Sequence, residues 1–431
     1  MRPSRRIIER AINMRHKVSI ATILFFVILI GAGCGGEERK KTLTTPFENS
    51  RFGFMQGNSY EGMVDLGVHW QRPTLEIFSW NLVEPKKGKY VWKLQDDTVK
   101  FTQKYNLNLV ADIQPYADWD QEKCHKKLFK EAEPGIPSYG PYRQKPCDMD
   151  DYKNFVIKMV ERYDGDGLDD MPGLKIPIKY WEVMNEVSDQ GPLTDNTFIG
   201  TAQEYAEILR ATSEAIKKAD GQAKVLQGGV AELSPEQVKF LDAVIENGGD
   251  RYFDIANIHA VRTQINDFYA KEFKEYLAKR NLSKPFWITE AQLNASAIGQ
   301  EKLTEEEWAK FMIKSFATAF YHGADKIFYV GLDSSPADPE AWLTRDLKIQ
   351  KPFYAFQTLV KKIDCFASVE KLAEGQYRFL VDGKWVYVAW DGIPKEIVGR
   401  VRVTYWDGQE NTLSDASQIN LMRGPVFIEK N

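Results

Sequence analysis

The sequence predicts an α/β chain, a (β/α)8 TIM barrel followed by a small C-terminal antiparallel β-domain. Three observations carry that prediction. Apolar strand-like stretches alternate with amphipathic helical stretches from about residue 51 to about residue 364, eight times over, which calls for a parallel sheet. Two of those strands, Trp181 to Glu186 and Pro285 to Glu290, end in a glutamate. After about Cys365 the pattern turns to short strands with Asp-Gly turns and no helices. An open doubly wound sheet is the alternative, but the early strands lack any Gly-x-Gly-x-x-Gly turn.

The chain opens on a basic stretch with Arg10, Arg15 and Lys17, then an uncharged run from Val18 to Gly33. That pattern makes residues 1–33 a secretory signal peptide, and sixteen uncharged residues are short for a permanent span. Met14 begins a tidier version of the same signal. Residues 34–50 are charged and Thr-rich without periodicity, and read as a tether.

From Phe52 to Asn58 comes the first strand, with a short helix near Glu61 to Leu66. The second strand is placed at about His69 to Phe78 and carries Arg72. A turn-rich link leads to a helix over 94–105, and Leu107 to Tyr116 makes the third strand. Phe155, Val156, Met159 and Val160 set the helical spacing of 150–163. The fourth strand ends at Asn185-Glu186. A helix over 201–219, with Tyr205, Ile208, Leu209, Thr212 and Ile216 on one face, precedes the fifth strand at Lys224 to Val230. Ser234-Pro235-Glu236 starts the next helix, and the sixth strand, Phe253 to Val261, carries His259. A helix over 268–280 leads to strand seven and Glu290. Thr304 and Glu307 form a capping-box entry to a long helix. Ile327 to Leu332 and a helix over 352–363 close the series. Residues 365–431 are expected to form a small β-sandwich-like domain.

The formal net charge is −4 and becomes more negative once the basic leader is set aside. With no Lys/Arg run in the folded part, nucleic acid is excluded as the main partner. Cys124 and Cys147 flank a loop rich in Pro and Gly, and an exported protein would oxidise them to a disulfide. Taken as metal ligands with His125, they lack a fourth partner, so no metal is expected. Cys365, among Ile363, Phe366 and Val369, reads as a buried thiol.

The chemistry lies in the two glutamates. An acid at a strand end beside an amide can protonate a leaving oxygen while the amide holds a neighbouring hydroxyl. A second carboxylate across a sugar can attack the anomeric carbon. Because all barrel strands end on one face, Glu186 and Glu290 would converge there despite their distance in sequence. Glu186 is then expected to have a raised pKa, and Glu290 to stay ionised.

With these residues in place, the barrel resembles the clan A retaining β-glycosidases, the group that includes families 5, 10, 39 and 42. The resemblance implies that Asn185 and Glu186 are the amide and acid/base. It implies that Glu290, in Thr289-Glu290, is the nucleophile. Arg72 would contact the nucleophile, and His259 would be the active-site histidine of strand six. The run Trp80 to Trp92, with Glu84-Pro85 and Gly88-x-Tyr90-x-Trp92, looks like a recurrent feature of the same group. Trp80, Tyr116 and Trp119 are candidates to stack on sugar rings. His259 is followed by Ala260 and Val261 where several families carry a tyrosine, and residues 331–335 lack the tryptophan common at the end of strand eight. No single family is therefore chosen.

Gly31-Ala32-Gly33-Cys34 is similar to the lipobox of bacterial lipoproteins, which implies a lipidated Cys34 and a membrane anchor. The reading is an exported, lipid-anchored retaining glycoside hydrolase acting on an oligo- or polysaccharide. No cofactor is expected, because two carboxylates and water suffice. A transglycosylase and a catalytically inactive surface glycan-binding lipoprotein are the alternatives.

Overall fold

The computed structural model describes residues 42–55, 60–128, 141–188, 197–261, 266–293, 303–334, 343–345 and 348–430. The expected signal peptide, Cys34 and the first part of the 34–50 stretch lie outside the described residues, as do 129–140 of the cysteine-bracketed loop. Among the described residues, no helix is long and apolar enough to cross a membrane.

Eight parallel strands form the barrel: β1 (Phe52–Met55), β2 (Trp70–Arg72), β3 (Asn108–Gln114), β4 (Tyr180–Val183), β5 (Lys224–Gln227), β6 (Ala256–Ala260), β7 (Phe286–Ala291) and β8 (Ala324–Val330). They pair in the order β5-β4-β3-β2-β1-β8-β7-β6. Single parallel bridges, Leu226 to Ile255 and Val230 to Ile258, join β5 to β6 and bring the ring nearly to closure. A helix follows each strand: α1 (Tyr60–Leu66), α2 (Lys93–Lys104), α3 (Met149–Tyr163), α4 (Ala202–Ala219), α5 (Pro235–Glu246), α6 (Ala270–Lys279), α7 (Glu305–Tyr321) and α8 (Lys351–Ile363).

Local chemistry sets the boundaries. The capping boxes at Thr201/Glu204 and Thr304/Glu307 are both complete, each contributing about 1 kcal/mol. Ser234 accepts from the Gln237 amide, with Pro235 in the first turn where its missing N–H costs nothing. The second strand is shorter than expected. It stops at Arg72 because Pro73 offers no N–H to the ladder, and the chain rejoins the sheet only at Phe78–Ser79, beside Ile113 and Gln114.

The barrel interior is divided along its axis. At the N-terminal ends of the strands Trp70, Tyr180, Trp287 and Phe328 fill the lumen, with Tyr180 stacked on Trp287 at 5.0 Å and edge-on to Trp70 at 5.0 Å. Lys326 lies buried over Trp70 and Trp287, and its ammonium donates to the carbonyls of Glu48 (2.6 Å) and Ser50 (2.5 Å). Residues 42–50 thus run under the barrel floor, where Phe47 also stacks on His69 at 3.9 Å.

The C-terminal part is one six-stranded antiparallel sheet: β9 (Ser368–Ala373), β10 (Gln376–Val381), β11 (Lys384–Ala389), β12 (Val401–Tyr405), β13 (Glu410–Leu413) and β14 (Val426–Lys430). Its order is β9-β10-β11-β14-β12-β13. The two edge strands are absent from the sequence-based reading, since neither carries an unbroken apolar alternation and both lie half in solvent. Asp382 (φ 47°) and Gly383 (φ 74°) make the two-residue turn between β10 and β11, as the Asp-Gly pair predicts. The sheet is fastened to the barrel by Phe366 between Phe320 and Phe379, and by buried Lys362, which bridges Glu410 (2.9 Å) and Glu429 (2.7 Å).

Cys124 and Cys147 are bonded to one another, with Cα atoms 5.8 Å apart. Their sulfurs are therefore not thiolate ligands for a metal. Cys365 is free and partly exposed, not fully buried as expected.

Candidate active site

Two local devices aim the strand-end side chains into the barrel mouth. After β4 the backbone leaves the extended region: Met184 and Glu186 have φ of 67° and 46°, conformations that residues other than glycine rarely adopt. This turn is held by the Glu186 amide donating to the Gly229 carbonyl (3.0 Å). Gly229 has no alternative, because a Cβ there would come within 2.0 Å of His259 Nε2. In β7 the register against β6 slips by one residue, from Ile258 opposite Ile288 to His259 opposite Glu290. This bulge lets the consecutive Thr289 and Glu290 both serve the site instead of pointing to opposite faces.

Arg72 is the hub. It is fully buried and spreads its fork over acceptors on four residues. Nε donates to Glu182 Oε2 (2.6 Å), Nη1 to Glu290 Oε1 (2.7 Å), and Nη2 to Glu182 Oε1 (3.0 Å), Asp112 Oδ2 (3.1 Å) and Asn185 Oδ1 (2.8 Å). Burial works against its charge, but Glu182, Glu290 and Asp112 more than restore it. Glu182 is satisfied further by Asn257 Nδ2 (2.9 Å) and the Gly229 amide (3.1 Å).

His259 joins the two glutamates. Its Nδ1 lies 2.9 Å from Glu186 Oε1 and 3.7 Å from Glu290 Oε1, and its Nε2 lies 3.0 Å from Thr289 Oγ1. One carboxylate oxygen of Glu186, one of Glu290 and a His259 ring nitrogen all fall within 4.8 Å of each other. A cation held by that trio would sit against the guanidinium already bonded to Glu290, so the donor set suits a proton better than a metal.

The pKa directions reverse those expected. Burial would push the Glu186 carboxyl up, but the hydrogen bond and charge of His259, with Arg72 beyond, outweigh it and hold the carboxyl low. Burial pushes the Glu290 carboxyl up, and His259 and Arg72 offset this only in part. The His259 imidazole is itself raised: burial disfavours its charge, but Glu290 and Glu186 overcome that. The sequence does not show that one imidazole stands between both carboxylates, and this is why its expected directions fail.

The structure thus brings together Arg72, Asn185, Glu186, His259 and Glu290. It places the aromatic candidates differently. Trp80 is fully buried, bonds Glu84 Oε2 through its indole N–H (2.7 Å) and packs on Phe155, so it is core and not a sugar platform. Tyr116 is likewise enclosed, its hydroxyl donating to the Thr197 carbonyl (2.6 Å). Trp119 is partly exposed and donates to the Glu84 carbonyl (2.7 Å). Asp112, Asn257 and Thr289 escape the sequence reading. Asp112 and Asn257 do carry a signal, being polar residues flanked on both sides by apolar ones within barrel strands.

No family model and no curated protein matches the chain. Solved structures do. A family 39 glycoside hydrolase from Bacteroides cellulosilyticus WH2 aligns over 89% of this chain and 82% of its own, with a TM-score of 0.61 at 16% identity. A monomeric β-xylosidase from Caulobacter crescentus CB15 aligns over 91% and 98%, with a TM-score of 0.60 at 15% identity. A family 30 subfamily 8 xylanase from Clostridium acetobutylicum aligns over 91% and 97%, with a TM-score of 0.55 at 15% identity. At these identities the likeness establishes a fold, that of the TIM-barrel glycoside hydrolases.

Proposed function

We propose that this chain is an exported, lipid-anchored retaining glycoside hydrolase that cleaves β-linked glycosidic bonds. One observation carries the reading: Glu186 and Glu290 face one another with carboxylate oxygens within 4.8 Å, and Arg72 bonds Glu290 at 2.7 Å. An approach of single oxygens that close supports the roughly 5 to 5.5 Å carboxyl spacing of double displacement over the about 6.5 to 9.5 Å of an inverting enzyme.

Glu290 attacks the anomeric carbon as Glu186 delivers a proton to the departing oxygen, giving a glycosyl ester and a free alcohol. Water then attacks that carbon while Glu186 takes its proton, and Glu290 leaves as carboxylate. The proton reaches Glu186 along its bond to His259, whose raised basicity keeps the imidazole protonated as the store. Asn185, held by Arg72, is placed to bind the sugar hydroxyl beside the reacting carbon. Because a similar structure is a β-xylosidase and another a xylanase, β-xylosides are the first substrates to try.

Glu186→Ala keeps slow turnover of aryl β-glycosides with good leaving groups, and azide restores rate while giving the β-azide. An α-azide, or an inverted product from the wild-type protein, overturns the assignment. For the anchor, Cys34→Ala moves the protein from the membrane to the soluble exported fraction; unchanged detergent-dependent fractionation sinks it.

A further inference from the structure

Away from the barrel mouth, α7, the start of α6 and the C-terminal sheet enclose a cavity of about 420 Å³. Its walls are unusual in charge. Lys271, Lys314 and Lys371 all line it, with only Glu374 as a lining carboxylate. Glu374 is taken by Lys371 at 2.5 Å. Among the described residues, the ammonium groups of Lys271 and Lys314 have no hydrogen-bond or ion-pair partner. Lys314 sits over the Trp390 ring at 5.8 Å. Burial pushes its amine below the ordinary lysine range, only partly offset by Asp391.

A second, independent feature belongs to the same cavity. Ser315, on the cavity wall, is 1% exposed, and its Oγ has no hydrogen-bond partner. More than nine-tenths of buried polar groups are satisfied, and leaving a hydroxyl unmet costs about 1–3 kcal/mol. His322 lines the cavity about two helical turns further on, its Nδ1 donating to Asp267 (2.6 Å). Two ammonium groups without a bonded partner and an orphan hydroxyl form a donor set that matches an oxyanion. The aromatic wall of Tyr377 and Trp390, stacked at 5.3 Å, gives the anion a low-dielectric backing.

We infer that this cavity is an anion-binding site, distinct from the barrel mouth, that takes a carboxylate or sulfate group through Lys271, Lys314 and Ser315. The group comes either from an acidic glycan or from the free ion.

The test is calorimetric titration of the intact protein at constant ionic strength with sodium glucuronate, sodium sulfate and neutral xylose. Trp390 fluorescence serves as a second readout. Saturable binding of glucuronate or sulfate is expected, with none for xylose. Lys314→Met and Lys271→Met should each weaken it tenfold or more and Ser315→Ala about threefold, while Lys100→Met, on exposed α2, leaves it unchanged. Glucuronate binding more tightly than sulfate identifies the glycan as the source; sulfate binding as tightly or more identifies the free ion. No saturable binding of either anion, or binding indifferent to both lysine changes, overturns the site. Because the readout is binding at a place remote from Glu186 and Glu290, its failure is separate from any failure of the hydrolase assignment.

Discussion

The two ends of the barrel lumen are built from the same strands and differ by one step of the pleat. On β2 Trp70 gives way to Arg72, on β3 Val110 to Asp112, and on β4 Tyr180 to Glu182. On β7 Trp287 is followed by Thr289 and, through the bulge, Glu290. Side chains two apart in a strand share a face, so each pair stacks along the same wall. The floor is held by aromatic area and needs only one buried charge, Lys326, satisfied by backbone carbonyls. The mouth is held by charge: one guanidinium, one imidazole and four carboxylates, each met by another polar group. A packed floor can absorb a change of shape with a modest loss, whereas a buried charge network fails when any member is left unpaired.

The largest test of that contrast is Arg72→Met. Removing the hub leaves Glu182, Asp112 and Glu290 buried together without their cation, and should cost about 3–5 kcal/mol of stability along with turnover. Urea unfolding with activity measured in parallel checks it; a loss under about 1 kcal/mol would mean the network is not what holds the mouth. Two residues below, Trp70→Phe should cost about 1–3 kcal/mol, because it opens a cavity among Tyr180, Trp287 and Phe328, and should leave kcat near wild type. A kcat loss as large as that of Arg72→Met would erase the distinction between floor and mouth.

A subtler difference concerns pH. At the floor, burial lowers the Lys326 amine to about 8. An unfolded lysine keeps its proton to about 10.4, so between those values the unfolded chain binds more protons and this group makes stability rise with pH. Subtracting the Lys326→Met stability profile from the wild-type profile should expose that rise; a flat difference argues against a titrating floor. At the mouth the sign concerns activity. The raised His259 imidazole should put the alkaline limb of kcat/KM above the ordinary histidine value of about 6.5, and His259→Asn should move that limb. An unmoved limb would take His259 out of the proton path.

The sequence by itself determined the alternation of strands and helices, the capped helix starts, the Cys124–Cys147 pairing and both strand-end glutamates. These follow from period, cap chemistry and residue type, which are local or nearly so. Asn185 was legible too, because it stands beside a strand end that the pattern already marked, whereas Arg72 and His259 came from the resemblance to clan A barrels. What the tertiary structure decided was everything that depends on a neighbour across the barrel. Trp80 and Tyr116 have the composition of sugar platforms, but α3 and the loops over β3 close on them and make them core. Asp112, Asn257 and Thr289 become partners of Arg72, Glu182 and His259 only when the sheet closes. Thr289 in particular reaches the site through a one-residue slip that no periodicity shows. The directions of the Glu186 and Glu290 pKa shifts belong to the same class, since they depend on a single imidazole placed within 4 Å of both by Gly229's missing side chain.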